Sequence, residues 1–325
     1  MATFQPRINI IAIATPFPVA PTNVYVLEGE PLTMVDTGPL TGEALEALEK
    51  GVETLGHSLA EIEQLVITHA HIDHFGLARE VAERSGGKVL SFYQNLQPLQ
   101  DFEAWWEGRI AYASRLFIEE GAPSGAMENI EEIRAYQMYA TSIPEVVPLD
   151  DGAEIQMGGT TWRAMHTPGH ALGHLCFYHE ASQLLLSGDH LLRDITSNPI
   201  IETPRLGMKE RPRSLIDYMR SLRRIRDLEV RKVLPGHGEP VYDHRLLVDD
   251  ILAHHQHRGR LILQLLREGA KSVYELGLAL FGRELPGVQF FLVMSEVIGH
   301  LDVLELQGKV RRSTASSHCV WSAID

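Results

Sequence analysis

The chain has 325 residues, 44% of them hydrophobic and 22% charged, which suits a globular protein with one large and one small domain. Its net charge of −14 disfavours a broadly basic nucleic-acid-binding surface, although a local basic patch stays open. Cys176 and Cys319 are far apart and outside any CxxC spacing, so we expect no disulfide framework. We find no signal-peptide pattern and no uninterrupted apolar stretch of membrane-spanning length, and therefore expect a cytoplasmic protein with no membrane partner.

The first 92 residues predict alternating strands and helices. Runs rich in Ile and Val predict strands, and leucines at helical spacing predict an amphipathic helix. The predicted strands are 9–18, 23–27, 32–35, 62–68 and 88–92, and the predicted helices are 40–55 and 77–84. Asp36, which follows the third strand before Gly38-Pro39, is either ordinary turn chemistry or a group that holds a ligand histidine by its free N–H.

Residues 68–74 carry three histidines and one aspartate between a predicted strand and a predicted helix. Alternate side chains of an extended segment share a face, so His69, His71 and Asp73 are expected to point the same way. A turn directly after them can bring His74 to the same cavity. Imidazole nitrogen and carboxylate oxygen suit zinc and its neighbours, so this stretch predicts a metal site.

Residues 94–142 have a different character, with many aromatic, Glu and Ala residues and no strand signal. We predict two or three helices here, inserted into the first domain. Their aromatic residues either pack the helices onto the body of the protein or form a lid over the metal cleft. In the second case, Trp105 or Trp106 would touch an apolar part of the substrate.

Strand signals return from residue 145, and three of these strands end in turns that contain a ligand-type residue. The predicted elements are strands 145–149, 154–157, 160–166, 175–178, 184–186 and 231–234, and a helix over 213–228. Strand ends are where a rigid scaffold aims side chains into one cleft. His170, Asp189 and His237 are therefore expected to join the first cluster.

The last 75 or so residues predict helices over 241–269, 272–281 and 288–303, followed by strands over 306–312 and 317–322. This order describes a winged-helix-like module. We therefore divide the chain into a first domain, 1–248, and a C-terminal domain, 249–325. The helix over 288–303 contains Glu296 and Asp302 but no Lys or Arg, unlike a helix that reads a DNA groove.

The seven ligand-type side chains are more than one tetrahedral zinc ion takes. They suit two divalent ions about 3.5–4 Å apart, with Asp189 as a bridge, and such a pair holds one hydroxide between the metals. Because bound metal lowers the pKa of water to about 7, this hydroxide is a nucleophile at neutral pH. Zinc is the expected metal, and Fe²⁺ or Mn²⁺ also suits these ligands.

Four ordered motifs resemble those of the metallo-β-lactamase superfamily: His-x-His-x-Asp-His, Thr-Pro-Gly-His, Ser-Gly-Asp and Pro-Gly-His-Gly, within about residues 8–245. The resemblance implies an α/β (α+β) fold, an αββα sandwich with the metals at one edge, here followed by the winged-helix domain. It implies a first metal on His69, His71 and His170, a second on Asp73, His74 and His237, and Asp189 as the bridge. His174 resembles a residue of the glyoxalase II and lactonase branches and is expected to support a ligand.

The resemblance implies a hydrolase of a small-molecule ester-type bond, an acyl thioester or a lactone, in which the bridging hydroxide attacks and Asp73 orients it and moves its proton. Asp189 replaces the cysteine ligand of class B1 and B2 β-lactamases, so antibiotic hydrolysis is not the expected main role. Arg193 is a candidate contact for an anionic substrate group, or an ordinary ion-pair residue. A homo-oligomer stays open.

Two other classes remain. The alternative enzyme is an endoribonuclease or phosphodiesterase, because the winged-helix tail resembles the β-lactamase-like protein 2 group and residues 205–232 are locally basic. Such charges more often form a solvated helix face. A non-catalytic module is disfavoured, because a complete set of buried polar ligands has no purpose without a metal.

Overall fold

The computed structural model describes residues 5–204, 208, 210–282, 285–315 and 317–324. A six-stranded sheet is formed by the first half of the chain, with strands β1 to β6 side by side in sequence order. The first three strands pair antiparallel and the last four pair parallel. The strands are β1 (Arg7–Ile13), β2 (Thr22–Glu28), β3 (Thr33–Val35), β4 (Gln64–Ile67), β5 (Lys88–Phe92) and β6 (Val147–Leu149).

A second sheet of five strands has the order β11-β10-β9-β8-β7. Its pairs are antiparallel except β10 with β11, which is parallel because the connection between these two strands contains a helix. The strands are β7 (Glu154–Met157), β8 (Thr160–His166), β9 (Leu175–His179), β10 (Leu184–Gly188) and β11 (Lys232–Pro235).

The helices lie outside the two sheets and in the C-terminal part. In chain order they are α1 (Gly42–Thr54), α2 (Ile72–Phe75), α3 (Ala78–Ser85), α4 (Leu96–Gln100), α5 (Phe102–Glu119), α6 (Glu128–Arg134), α7 (Ser214–Arg226), α8 (His244–Arg267), α9 (Val273–Phe281) and α10 (Gly287–Leu306).

The sheets pack face to face because alternate residues of their strands are apolar on both sides. In β4, Val66 points into the core between the sheets, whereas Leu65 and Ile67 point to the outer core beneath the helices. Trp162 and Phe177 of the second sheet fill the core between the sheets. Helices on both outer faces complete the αββα order that the sequence predicts.

The C-terminal part is joined to the helical insertion by a shared core. α8 runs through residue 248, so the predicted domain boundary falls inside a helix. After α10 the chain forms an antiparallel hairpin, β12 (Val310–Ala315) and β13 (His318–Ala323). Phe117 of the insertion packs against Phe290 and Phe291 of α10, and Trp321 of the hairpin donates to Glu120 Oε2 at 3.0 Å. The order of elements is the predicted one, and the winged-helix assignment stays a prediction.

Within the described part of the chain, Gly287–Leu306 is the one helix long and apolar enough to cross a membrane. This differs from the sequence reading, which found no such stretch. However, 72% of its most apolar window is buried inside the protein. A helix that is apolar all round is also what a protein core requires, so packing accounts for its composition.

Candidate metal centre

The cluster of His69, His71, Asp73 and His74 lies where β4 ends and α2 begins. The chain enters the helix at Ile72, and the main-chain N–H of His74 donates to the carbonyl of His71 at 2.9 Å. The expectation that Asp73 continues an extended segment is therefore wrong. Asp73 and His74 are brought to the site by the first helical turn rather than by strand alternation.

The structure brings all seven predicted ligands together from four strand ends. Three groups of side chains have ligand atoms within 4.8 Å of one another. These groups are His69 with His71 and His170, His69 with His74 and Asp189, and Asp73 with His74 and His237. The first and third groups match the two metal-binding sets that the resemblance implies, and Asp189 lies beside both.

Three of the histidines have their outer ring nitrogen held by an acceptor. Such a bond makes Nδ1 the protonated nitrogen, which leaves the lone pair of Nε2 facing the other ligands. The Nδ1 acceptors are Asp36 Oδ2 for His74 (2.8 Å), the Asn198 carbonyl for His170 (3.0 Å) and the Ala20 carbonyl for His237 (2.8 Å). The inner nitrogen of each ring therefore faces the other ligands, and it can bind a metal ion once any proton on it is released.

A second observation indicates a metal site: some of the buried ligand atoms have no hydrogen-bond partner in the described part of the protein. Nε2 of His69 and Oδ1 of Asp189 are buried without a hydrogen-bond partner among the described residues. Leaving such atoms unpaired costs about 1–3 kcal/mol each, so their convergence needs a ligand. A divalent cation supplies bonds to all of them.

The carboxylates of the cluster control the charge of their neighbours. Burial lowers the pKa of His237, but Asp189 beside it outweighs this effect and raises the value to about 10. Burial likewise lowers the pKa of His74, whereas Asp189, Asp73 and Asp36 raise it well above its ordinary value. Burial raises the pKa of Asp73, but His74 and His237 bring it below its ordinary value. Without metal the site holds protons that a cation would displace.

Asp36 takes the second of its two predicted roles. Its carboxylate accepts from Nδ1 of His74 at 2.8 Å, and from both the main-chain N–H and the hydroxyl of Thr68 at 2.8 Å. The side chain is 2% exposed, and the backbone has φ 61°, a left-handed conformation that few non-glycine residues adopt. Asp36 therefore fixes the ring of a candidate metal ligand from a strained turn.

His174 supports Asp189, as the sequence predicts for a ligand-supporting residue. Its Nε2 accepts the main-chain N–H of Asp189 at 3.1 Å, and its Nδ1 bonds to Thr167 Oγ1 at 2.9 Å. Close packing on the other side requires glycine at position 236. A Cβ there would lie against Oδ1 of Asp189 and 2.9 Å from Cε1 of His74.

A cleft of about 380 Å³ opens beside the ligand cluster. Ligand side chains form one end, and most of the remaining wall is apolar. The insertion contributes Trp106, Arg109, Ile110 and Ile133, the segment 195–198 contributes Ile195 and Asn198, and α10 contributes Val288, Phe291 and Leu292. This size and character are typical of a small-molecule site.

Arg109 places one positive charge in this wall. The residue is 6% exposed, and its guanidinium lies 5.3 Å from the ring centroid of Trp105, 6.0 Å from that of Trp106 and 5.6 Å from that of Phe291. These rings hold the guanidinium by cation–π contact. Its charge also contributes to the low pKa of His71, after burial and His170.

The three weak substrate-binding candidates lie in different places. Trp106 lines the cleft, whereas Trp105 is buried and is not among the residues of the cleft lining. Arg193 is also outside the lining and bonds to Asp194 at 2.9 and 3.1 Å. The ordinary ion-pair interpretation of Arg193 therefore fits its position.

The locally basic stretch 205–232 is largely paired. Residues 205–207 and 209 lie outside the described residues. Among the rest, five arginines have a carboxylate partner: Arg211 with Asp302, Arg213 with Glu305, Arg220 with Asp217, Arg224 with Asp151 and Arg226 with Asp249. Most of the stretch is thus a solvated or interdomain ion-pair surface.

Sequence reasoning missed the residues that complete the cleft. Arg109 stands among ordinary helix residues, and Asn198 is in a segment without a motif. Leu292 belongs to a helix that the sequence assigns to a separate domain. One signal was available, since an arginine three and four residues after paired tryptophans shares their helix face.

An αββα sandwich with converging histidines and aspartates at one edge, and a cleft beside them, defines a metal-dependent hydrolase. The family model described as "Metallo-beta-lactamase superfamily" matches residues 18–237, and that described as "Metallo-beta-lactamase-like, C-terminal domain" matches residues 260–321. The chain belongs to the metallo-beta-lactamase superfamily. The predicted family and fold class are confirmed.

Three relatives indicate the range of similarity. The probable metallo-hydrolase YqjP of Bacillus subtilis is 33% identical over 300 residues, covering 91% of this chain and 92% of that protein. The beta-lactamase-like protein 2 homolog of Caenorhabditis elegans is 28% identical over 256 residues, covering 78% and 68%. The atrochrysone carboxyl ACP thioesterase of Aspergillus fumigatus is 30% identical over 152 residues, covering 43% and 44%.

A solved structure supports the fold over nearly the whole chain. The metallo-beta-lactamase family protein TTHA1429 from Thermus thermophilus aligns with a TM-score of 0.82 and 30% identity. The alignment covers 98% of each chain. The C-terminal part therefore belongs to the shared architecture and is not an addition peculiar to this protein.

Proposed function

We propose that this metallo-hydrolase cleaves an ester-type bond of a small molecule, an acyl thioester or a lactone, with two divalent metal ions. The observation that carries the proposal is the apolar cleft wall beside the ligand cluster, with Trp106, Ile110, Phe291 and Leu292 in its lining. Burial of an acyl chain against this wall stabilises a complex in which the carbonyl lies at the ligands.

The donor set supports two ions. His69, His71 and His170 would hold one, Asp73, His74 and His237 the other, with Asp189 shared between them. When bound, such ions polarise a substrate carbonyl and activate water at neutral pH. We infer zinc as the metal from the His and Asp ligands, with Fe²⁺ or Mn²⁺ as alternatives.

Asp73 is the residue that we assign to proton transfer. Its Oδ2 lies 3.4 Å from Nε2 of His237, and its side chain is 14% exposed in the lining of the cleft. Because its pKa is low, the carboxylate is ionised at neutral pH. It can therefore accept a proton from the attacking water and pass it to the leaving group.

The composition of the cleft wall indicates the character of the substrate. We infer that the bound molecule contains an apolar segment, because Trp106, Phe291 and Leu292 line the cleft. One relative is named an ACP thioesterase, which makes acyl thioesters the first substrate class to test.

The alternative function is that of an endoribonuclease or phosphodiesterase. A nucleic-acid strand needs cations along its path. Arg109 is the only Lys or Arg among the described residues that line the cleft, and the arginines of the basic stretch are mostly paired with carboxylates. These charges favour the ester substrate over the phosphodiester.

The test is a paired assay on purified protein whose metal content is measured. A panel of acyl thioesters and lactones runs beside single-stranded RNA, with His69→Ala as the ligand-deficient variant and His57→Ala as a control distant from the site. For the parent protein we expect turnover of thioesters or lactones and about two metals per chain. For His69→Ala we expect loss of turnover and a lower metal content.

The other outcomes are equally informative. RNA cleavage without thioester or lactone turnover would move the function to the nuclease class. Fewer than about one metal per chain would overturn the dinuclear assignment, whatever the substrate. Loss of activity in His57→Ala as well would show that the assay reports general stability rather than the site.

A further inference from the structure

A second cavity, of about 350 Å³, lies between the two parts of the chain and shares no lining residue with the metal cleft. Its walls come from α7, α8 and the end of α10. The lining includes Arg223, Arg260, Lys309, His255 and His300. We call this space the interdomain cavity.

The cavity concentrates positive charge in an acidic protein. Arg223, Arg260 and Lys309 line it, and no Asp or Glu is among its described lining residues. None of these three has an ion-pair partner among the described residues, although the chain carries a net charge of −14. Within the described part of the chain, the guanidinium of Arg223 donates to the Met219 carbonyl alone, at 3.1 Å.

The contrast within α7 is informative, because the other three arginines of this helix each bond to a carboxylate. These pairs are Arg220 with Asp217, Arg224 with Asp151 and Arg226 with Asp249. The arginine that faces the cavity is the one without such a partner. Arg223, Arg260 and Lys309 are exposed around one cavity, so together they create a local positive potential that favours an anion there.

His255 adds a second, independent observation. It is 4% exposed, lines the cavity, and its Nε2 has no hydrogen-bond partner among the described residues. His300 Nδ1 donates to the Glu296 carbonyl at 2.8 Å, which leaves His300 Nε2 as an acceptor for His255 Nδ1–H at 3.4 Å. Nε2 of His255 is therefore a buried polar atom that awaits a partner.

We propose that the interdomain cavity binds the phosphoryl group of a small phosphorylated molecule. Arg223, Arg260 and Lys309 would neutralise its charge, as cations do in phosphate sites generally. His255 Nε2, which carries a lone pair when Nδ1–H donates to His300, would accept a hydrogen bond from a phosphoryl hydroxyl. Since the cavity is separate from the metal cleft, the proposal stands apart from the hydrolytic function.

The experiment is calorimetric titration of the metal-loaded full-length protein in a phosphate-free buffer, with inorganic phosphate, AMP and adenosine as probes. Phosphate also binds metal centres, so His69→Ala is titrated in parallel. The cavity variants are Arg260→Gln, Lys309→Gln and His255→Phe. Arg267→Gln is the matched control, because Arg267 is exposed on the same helix as Arg260 but outside the cavity lining.

We expect saturable 1:1 binding of AMP with Kd below about 1 mM, no binding of adenosine, and retention of AMP binding in His69→Ala. Arg260→Gln and Lys309→Gln should each weaken it about tenfold, and Arg267→Gln should not. If phosphate binds as well as AMP, the ligand is the free ion; if AMP is tighter, it is a phosphate ester.

Three results would overturn the proposal: no saturable binding, binding lost in His69→Ala but kept in Arg260→Gln, or equal weakening by Arg267→Gln. Affinity that rises with the length of an RNA oligonucleotide would replace it with a nucleic-acid surface. Because the arginine and lysine variants change exposed residues, the test holds even if His255→Phe fails to fold.

Discussion

Nδ1 of His170 donates to the main-chain carbonyl of Asn198, at 3.0 Å. The side-chain amide of the same Asn198 donates to the Leu292 carbonyl in α10, at 3.3 Å. Asn198 thus connects His170, a candidate metal ligand, to the C-terminal helix α10. The orientation of the His170 ring depends on the position of α10, through two hydrogen bonds.

This connection predicts the effect of Asn198→Asp, which keeps the shape of the side chain but removes the donor to Leu292. We expect metal affinity to fall about tenfold, the lower end of the range for groups that orient ligands, measured by titration with a chromophoric chelator. Asn129→Asp is the control. Like Asn198→Asp, this change removes an amide donor, here to the Ala126 carbonyl at 3.2 Å, and it keeps the Oδ1 that accepts from the Gly287 N–H. Equal effects in both variants would contradict the role of Asn198.

Asp36 gives a second prediction, in which two substitutions separate hydrogen bonding from backbone strain. Asn tolerates a positive φ, so Asp36→Asn removes the charge beside His74 without straining the turn. Asp36→Ala removes the charge and also strains the turn. We expect metal affinity to fall about 10–100-fold in Asp36→Asn, with a further loss of thermal stability in Asp36→Ala. Unchanged metal affinity in Asp36→Asn would show that the His74 bond is dispensable.

Gly236 gives a third prediction. In Gly236→Ala the added Cβ would press on Asp189 and His74, so we expect metal content to fall below about one ion per chain and activity to be lost. Gly108→Ala is the control, because its Cβ meets no atom within 4 Å in the middle of α5. That change should stabilise the fold by about 0.5–1 kcal/mol. Metal analysis and thermal denaturation distinguish the two.

The buried histidines of the interdomain cavity predict a pH dependence of folding. Burial lowers the pKa of His255 to about 3 and that of His300 to about 4, from an ordinary value of 6.5. Between pH 6.5 and 4 the unfolded chain therefore binds protons that the folded chain does not. The free energy of unfolding should fall as the pH is lowered through this range.

The corresponding measurement is denaturant unfolding of His255→Gln, whose side chain does not titrate. Between pH 6.5 and 4, the free energy of unfolding of the variant should fall by less than that of the parent protein, the difference being on the order of 2–3 kcal/mol. His257→Gln, on the exposed side of the same helix, should follow the parent protein. A pH profile that is the same for all three proteins would place the titration elsewhere.

The cleft wall predicts which side chains affect substrate binding without affecting the fold. Ile195 lines the cleft and is 49% exposed, so Ile195→Ser should leave stability nearly unchanged. We expect kcat/KM for a long-chain acyl thioester to fall about 10-fold, with less change for an acetyl thioester. Ile118→Ser is the control, since Ile118 is 46% exposed but outside the cleft. Equal losses for long and short acyl groups would contradict this assignment.

Much of the fold could be predicted from local patterns. β5, β7 and β8 lie at the predicted residues, because alternation and flanking turns define their ends. β1 ends at Ile13 rather than at residue 18, since Pro16 and Pro18 have no N–H to donate to a sheet. The ligand side chains could be predicted because they are chemically distinctive and follow strand ends.

The cleft wall could not be predicted in this way. Trp106, Asn198 and Leu292 lie about 90 residues apart, and each sits in a segment whose local pattern reports only a helix or a loop. Their meeting depends on the packing of α10 against the insertion, which is a tertiary interaction between apolar faces of similar character. Apolar packing is not directional, so the sequence does not state which faces meet.

The contribution of α10 to the cleft has a consequence for how function diverges in such proteins. Val288, Phe291 and Leu292 lie near the chain's far end, yet they line the cleft beside the ligand cluster. Mutation in this helix can alter substrate preference while every metal-binding motif stays intact. Two homologues with the same histidines and aspartates can therefore act on different compounds. A substrate known for one homologue should be assigned to another only where α10, as well as the metal-binding motifs, is shared.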